Sequence, residues 1–185
     1  VYHRDSEGNR AVDDIKFDGK DELIEVLGED MDRQFIEEVA SLSLNPDVIA
    51  RQKDMKIVFS PIHGTTVRMV PDTLKKIGFE NIIHVPEQDV VSGDFPTVKS
   101  PNPEEPAALE LAIQKAEKTG AELVVATDPD GDRLGIAVRN ENNDFVLLNG
   151  NQTAILLTWY MLNQWKEQGK LTDRKSTRLN SSHYS

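Results

Sequence analysis

The chain has 185 residues, 38% apolar and 29% charged, with a formal charge of -11 at pH 7 and no cysteine. That length holds one core of ordinary size and part of a second, and the lack of thiols excludes disulfide staples and thiolate chemistry, so any metal must bind through oxygen or imidazole. Neither nucleic acid nor an anionic membrane would release counterions to an acidic protein, so both are excluded as default partners, and an anionic substrate needs a local cation or arginine.

The opening "VYHRDSEGNR" lacks the apolar centre of a secretory signal, and no apolar run in the chain reaches the roughly 18 to 20 residues of a membrane span. The chain therefore reads as cytoplasmic. Residues 1–20, which start at valine, read as a truncated lead-in. From Asp21 to Leu44 the residues Leu23, Val26, Leu27, Met31, Phe35, Ile36 and Val39 recur at three-and-four spacing, predicting two short helices or one that kinks at Gly28. "MKIVFS" (55 to 60) predicts a strand, "PIHG" a turn, and Val67, Val70, Leu74 and Ile77 a helix stopped by Gly78. "NIIHVPE" (81 to 87) predicts a second strand. After a long loop, "AALELAIQKAEKTG" predicts an amphipathic helix with Leu109, Ala112, Ile113 and Ala116 inward and Gly120 as its stop. In "SPNPEEP" before it, Asn102 suits an N-cap, Pro103 the first helical position, and Glu104 and Glu105 the positive helix end.

"ELVVAT" (122 to 127) predicts a third strand, apolar throughout as for a strand covered on both faces. "LGIAVR" (134 to 139) and "DFVLL" (144 to 148), separated by "NENN", predict a hairpin. A last helix starts at about Asn151, with Ile155, Leu156, Trp159 and Leu162 on one side. The order strand, helix, strand, helix, strand, hairpin predicts an α/β fold, a parallel sheet with helices on both faces and an antiparallel hairpin edge. Residues 173–185 break the pattern. "DRKSTRLNSSH" coincides residue for residue with one reading frame of a widely used sequencing adapter, so this tail is expected to be non-native and the natural chain to continue past about Thr172.

Between the third strand and the hairpin stands "TDPDGDR". Asp128 directly follows an apolar strand, where the carboxyl ends of a parallel sheet face the ligand crevice. Asp128, Asp130 and Asp132 supply the hard oxygens that a divalent cation takes, and Gly131 lets the backbone curl so that alternate side chains converge. Three carboxylates within five residues repel one another unless a positive charge sits among them; Mg²⁺ would supply it, and Arg133 could hold a phosphate oxygen in its fork of donors. The plain alternative is a solvated polar turn. An EF-hand fails on spacing, because Gly131 is fourth in the run instead of sixth and Arg139 stands where that loop needs glutamate. A haloacid-dehalogenase phosphatase would use Asp128 as nucleophile and Asp130 as acid, but Asp132 stands where that motif has threonine or valine.

"TDPDGDRLGIAV" resembles the metal-binding loop of the phosphohexomutases, the phosphoglucomutases and phosphomannomutases. "SPIHG" with "VP" following, "VPEQDVVSGDFPTVKSPNPEEPAAL" and "LLNGNQ" are similar, in the same order, to the phosphoglucomutase and phosphopentomutase branch. The resemblance implies that 21–148 is domain II with its metal loop and 149–172 the start of domain III. It implies Mg²⁺ on Asp128, Asp130 and Asp132, and Arg133 facing the active site in contact with phosphate. The implied partners are a phosphosugar substrate, a sugar bisphosphate intermediate and the missing domains of the same chain, and Mg²⁺ is the sole implied cofactor. The implied reaction moves a phosphoryl group between a phosphoserine and the hydroxyls of a sugar, interconverting 1- and 6-phosphates, or pentose 1- and 5-phosphates. No Thr-Ala-Ser-His-Asn-Pro type of phosphoserine loop occurs in this sequence, and the family's sugar-selecting and phosphate-clamping loops are also absent. The chain alone is therefore expected to be inactive. One departure is "HGTTV", with Thr66 where the family often has glycine, which predicts a shifted loop if that glycine served close packing. His63 beside it suits either the cleft or a helix cap. A dehalogenase-type phosphatase and a non-catalytic cation-binding module stand as the competing readings.

Overall fold

The computed structural model describes residues 27–171. The predicted contributions of Leu23 and Val26, the lead-in and the 173–185 tail lie outside the described residues. The chain divides into two compact units, 1–34 and 35–185. The described part of the first opens helix α1 (Glu29–Ser41), whose first turn carries Glu29, Asp30 and Asp32 at the positive helix end. Gly28 precedes the helix, so no kink is needed there.

The second unit carries, in order, α2 (Pro46–Arg51), β1 (Lys56–Ser60), a 3₁₀ turn (Thr65–Val67), α3 (Met69–Ile77) and β2 (Asn81–His84). The short α4 (Pro86–Asp89), α5 (Pro106–Thr119), β3 (Leu123–Thr127), β4 (Leu134–Arg139), β5 (Phe145–Leu148) and α6 (Gly150–Glu167) follow. The predicted strand at 81–87 is shorter than its apolar run, because Pro86 occupies the first turn of α4. The helix expected to open at Pro103 begins at Pro106 with Glu105 as its N-cap residue. Asn102 instead closes a turn by accepting the Glu104 N–H at 3.1 Å.

The strands form one sheet ordered β2-β1-β3-β4-β5. β1 pairs in parallel with both β2 and β3, and β3, β4 and β5 pair antiparallel, as the order of elements predicts. Val58, Val124 and Ala137 lie in one row across the sheet and are fully buried with Ala108, Leu109, Ala112 and Ala116 of α5. The alternate residues Ile57 and Phe59 are equally buried outside that cluster, so the other face is covered too. Gly120 ends α5 in the left-handed conformation at φ +67°.

α6 starts in a capping box. Asn149 Oδ1 accepts from the Gln152 N–H and Gln152 Oε1 from the Asn149 N–H, each at 2.9 Å. Asn149→Ala is expected to cost about 1 kcal/mol, read as a lower thermal midpoint. Of the apolar residues that share one side of α6, Ile155, Leu156 and Trp159 are exposed, at 71%, 53% and 63%, and Leu162 is half-buried. Thr153 is the one buried residue of this helix. Among the described residues no helix is long and apolar enough to cross a membrane.

Candidate metal centre

The site begins with sheet topology. The chain leaves β1 for β2 on one side and returns through α5 to β3 on the other, so the carboxyl ends of β1 and β3 flank a topological switch point. Two loops meet there, 61–64 after β1 and the acidic loop 128–133 after β3. Thr65 donates both its N–H (2.9 Å) and its hydroxyl (3.1 Å) to the Pro129 carbonyl. The hydroxyls of Thr66 and Thr127 are 2.6 Å apart. Gly64 abuts the same proline so closely that a Cβ there would lie 2.6 Å from its carbonyl oxygen. Thr66 is accommodated because Gly131, at φ +78°, leaves room for its methyl, and the carboxylates of the loop still converge.

The Gly131 N–H closes a turn on the Asp128 carbonyl at 3.1 Å. One carboxylate oxygen from each of Asp128, Asp130 and Asp132 lies within 4.8 Å of the others. A cation touching oxygens at about 2.0–2.1 Å (Mg²⁺) or about 2.3–2.6 Å (Ca²⁺) spans about twice that between opposite ligands. Three carboxylate oxygens are the donors that a hard divalent ion takes, and they must draw closer together to share one. Asp128 is buried, while Asp130 and Asp132 are exposed.

Arg133 braces this group from the chain's own side. Its backbone N–H donates to Asp128 Oδ1 at 2.9 Å and its Nε lies 3.8 Å from Oδ2, while 58% of its side chain stays exposed. Burial pushes the Asp128 carboxyl up, but the Arg133 N–H, the hydrogen bonds of Asp132 and Asp130 and the Arg133 charge outweigh it and hold it below the ordinary carboxylate range. Asp132 moves the other way. Its hydrogen bond with Asp128 and the charges of Asp130 and Asp128 push it up against the pull of Arg133. The loop therefore favours positive charge beside Asp132, whether from a proton or a cation. Arg133 and Asp132 open onto a groove of about 400 Å³ that also holds Glu104 and Thr153.

His63 takes neither of its two predicted places. It is buried, with Nδ1 2.8 Å from the Val90 carbonyl and Nε2 2.8 Å from Thr97 Oγ1. A carbonyl can only accept, so Nδ1 donates, and in the neutral ring Nε2 then accepts from the threonine. Gln88, fully buried, accepts from the Ser60 hydroxyl at 2.7 Å and donates to Thr97 at 3.2 Å and to the Ala108 carbonyl at 3.3 Å. Sequence reasoning missed this network, since no local pattern separates a buried glutamine from a solvated one. It pins the long loop whose Pro103 backbone packs on Gly135 and whose Glu104 carboxylate lies against Gly150 in the first turn of α6. Glu104 thus stands at the first turn of α6.

Residues 33–142 match the family described as "Phosphoglucomutase/phosphomannomutase, alpha/beta/alpha domain II". A protein from Mycoplasmoides pirum named phosphomannomutase is 40% identical over 149 residues, 80% of this chain and 27% of that protein. A protein from Staphylococcus saprophyticus named phosphoglucomutase is 39% identical over 72% of this chain and 24% of its own length. A mouse protein named glucose 1,6-bisphosphate synthase is 36% identical over 80% of this chain and 24% of its own length. The chain thus spans about a quarter of these relatives. A solved structure from Thermus thermophilus, whose name includes the word phosphomannomutase, aligns over 72% of this chain and 29% of its own with a TM-score of 0.56. At 20% identity that likeness speaks to the fold alone.

Proposed function

The chain belongs to the phosphoglucomutase/phosphomannomutase family through its domain II, and from that premise we propose that it supplies the Mg²⁺ site of a phosphosugar mutase. The observation that carries this is the convergence of the Asp128, Asp130 and Asp132 carboxylates at the carboxyl end of β3. Asp128, held by the Arg133 N–H, is the fixed ligand, and Asp130 and Asp132 complete the set from the exposed side. Arg133 presents its fork of donors to a phosphate oxygen.

Glu104 and Asp132 outnumber Arg133 in the same groove, so its net negative field disfavours an anionic phosphosugar until a cation neutralises it. Cation binding is accordingly expected to precede that of the substrate. Mg²⁺ in this site would offset the negative charge of a phosphoryl group in transfer. Turnover, through a phosphoserine and a sugar bisphosphate, is assigned to a longer protein containing this chain, in the cytoplasm. The 185-residue chain alone, 21–148 as domain II and 149–172 opening domain III, is expected to bind the cation without isomerising glucose, mannose or pentose phosphates.

The test is to incubate the longer protein with glucose 1-phosphate, mannose 1-phosphate and ribose 1-phosphate, with and without Mg²⁺, following isomerisation and phosphate release together. Mg²⁺-dependent isomerisation without release is the expected result. Phosphate release lost on Asp128→Asn, with no isomerisation, would replace the mutase with a phosphatase. Cation binding with neither reaction would leave a non-catalytic module.

A further inference from the structure

We infer that Thr66 is a positioning residue for the acidic loop: through Thr127 and Gly131 it holds the loop in the shape that gathers the three carboxylates around a divalent cation. This rests on the cation reading of Asp128, Asp130 and Asp132. The contacts from the turn after β1 fall on alternate residues of the loop. Thr66 meets Thr127 hydroxyl to hydroxyl at 2.6 Å, and Thr65 meets the Pro129 carbonyl at 2.9 and 3.1 Å. The Thr66 methyl lies 2.7 Å from where a Gly131 side chain would start. Residues 127, 129 and 131 are thus engaged by the turn, and the carboxylates stand on 128, 130 and 132 between and beyond them.

The alternation has an energetic consequence. Three like charges drawn within 4.8 Å resist being gathered, so in a free loop the cation's binding energy would be drained by ordering it. A loop already held by the 65–66 turn meets that cost in folding, and the benefit appears as cation affinity. Thr127 anchors the arrangement because it ends β3, is only 6% exposed and is bonded covalently to Asp128. The Thr66 hydroxyl and methyl act on opposite ends of the segment, which makes the two separable by substitution.

The experiment is calorimetric titration of Mg²⁺ and Mn²⁺ into the 185-residue chain and into Thr66→Val and Thr66→Ser, with thermal unfolding of each in chelator. Thr66→Val keeps the shape and loses the hydroxyl; binding about tenfold weaker is expected, the lower end of what outer partners of metal ligands contribute. Thr66→Ser keeps the hydroxyl and is expected to stay within about threefold of the parent. A merely structural role would lower the unfolding midpoint and leave the affinity of the folded protein unchanged. If Thr66→Val fails to fold, Thr127→Val removes the same hydrogen bond from the other side and is expected to weaken binding alike. Unchanged affinity in the folded variants overturns the inference alone. A parent chain that binds neither ion overturns the cation reading and this inference with it.

Discussion

Asp128→Asn is expected to weaken Mg²⁺ and Mn²⁺ binding by more than about 100-fold, the upper end of the effect of altering even an outer partner of a metal ligand. The substitution keeps an amide oxygen where Oδ1 accepts the Arg133 N–H at 2.9 Å, so the turn loses no acceptor. What it removes is the charge of the one buried carboxylate of the three, the proposed ligand that the Arg133 N–H already holds in place. Stability without cation is expected to change by less than about 1 kcal/mol, because the lost pairing is with a half-exposed Arg133 side chain and the charge that Asp128 sets against Asp132 is relieved. Calorimetry with chelator-treated protein reads the first effect and thermal unfolding in chelator the second. Asp47→Asn, on the exposed first turn of α2, is the control and should leave both unchanged. Undiminished affinity in Asp128→Asn would remove Asp128 from the ligand set.

Gln88→Leu is expected to destabilise the chain by about 2 kcal/mol despite nearly conserving volume. The side chain is fully buried and all its polar atoms are engaged by Ser60, Thr97 and Ala108. Leucine leaves the Ser60 hydroxyl proton without an acceptor in a place water does not reach, and its extra apolar contact only partly offsets that cost. A midpoint lower by about 4–8 °C follows for a chain of this size. The long loop after α4 should also loosen, seen as faster amide exchange at Ser92, whose N–H is held by the His63 carbonyl at 3.1 Å. A midpoint within about 1 °C of the parent, by the same measure, would mean that the network adds nothing.

The acidic loop was legible because its signal is local. Three aspartates at alternate positions, a glycine where the chain must curl and an apolar strand before them all fall within eleven residues. The alternation of strands and helices was legible for the same reason, since periodicity and stop signals act within one element. α6 shows where local reading fails. Its apolar residues surround the helix, so spacing alone could not choose the buried side, and Ile155 and Trp159 face outward while Thr153 is buried. The start of α5 slipped by three residues for a related reason. Pro103 and Pro106 both suit a first helical position, and local signals do not choose between them.

By itself the sequence determined an α/β sheet with an antiparallel edge and a cluster of hard oxygen donors behind its third strand. Only the tertiary structure decided what stands beside that cluster. The sheet order β2-β1-β3 makes β1 and β3 neighbours, and so brings Thr65 and Thr66 onto Thr127, Pro129 and Gly131 from more than 60 positions away. It also put His63 and Gln88 inside. Charge, periodicity and capping act over a few bonds and can be read in order along the chain, whereas the partner of a buried hydroxyl or amide depends on which strands pair. That pairing is set by how the whole apolar surface packs.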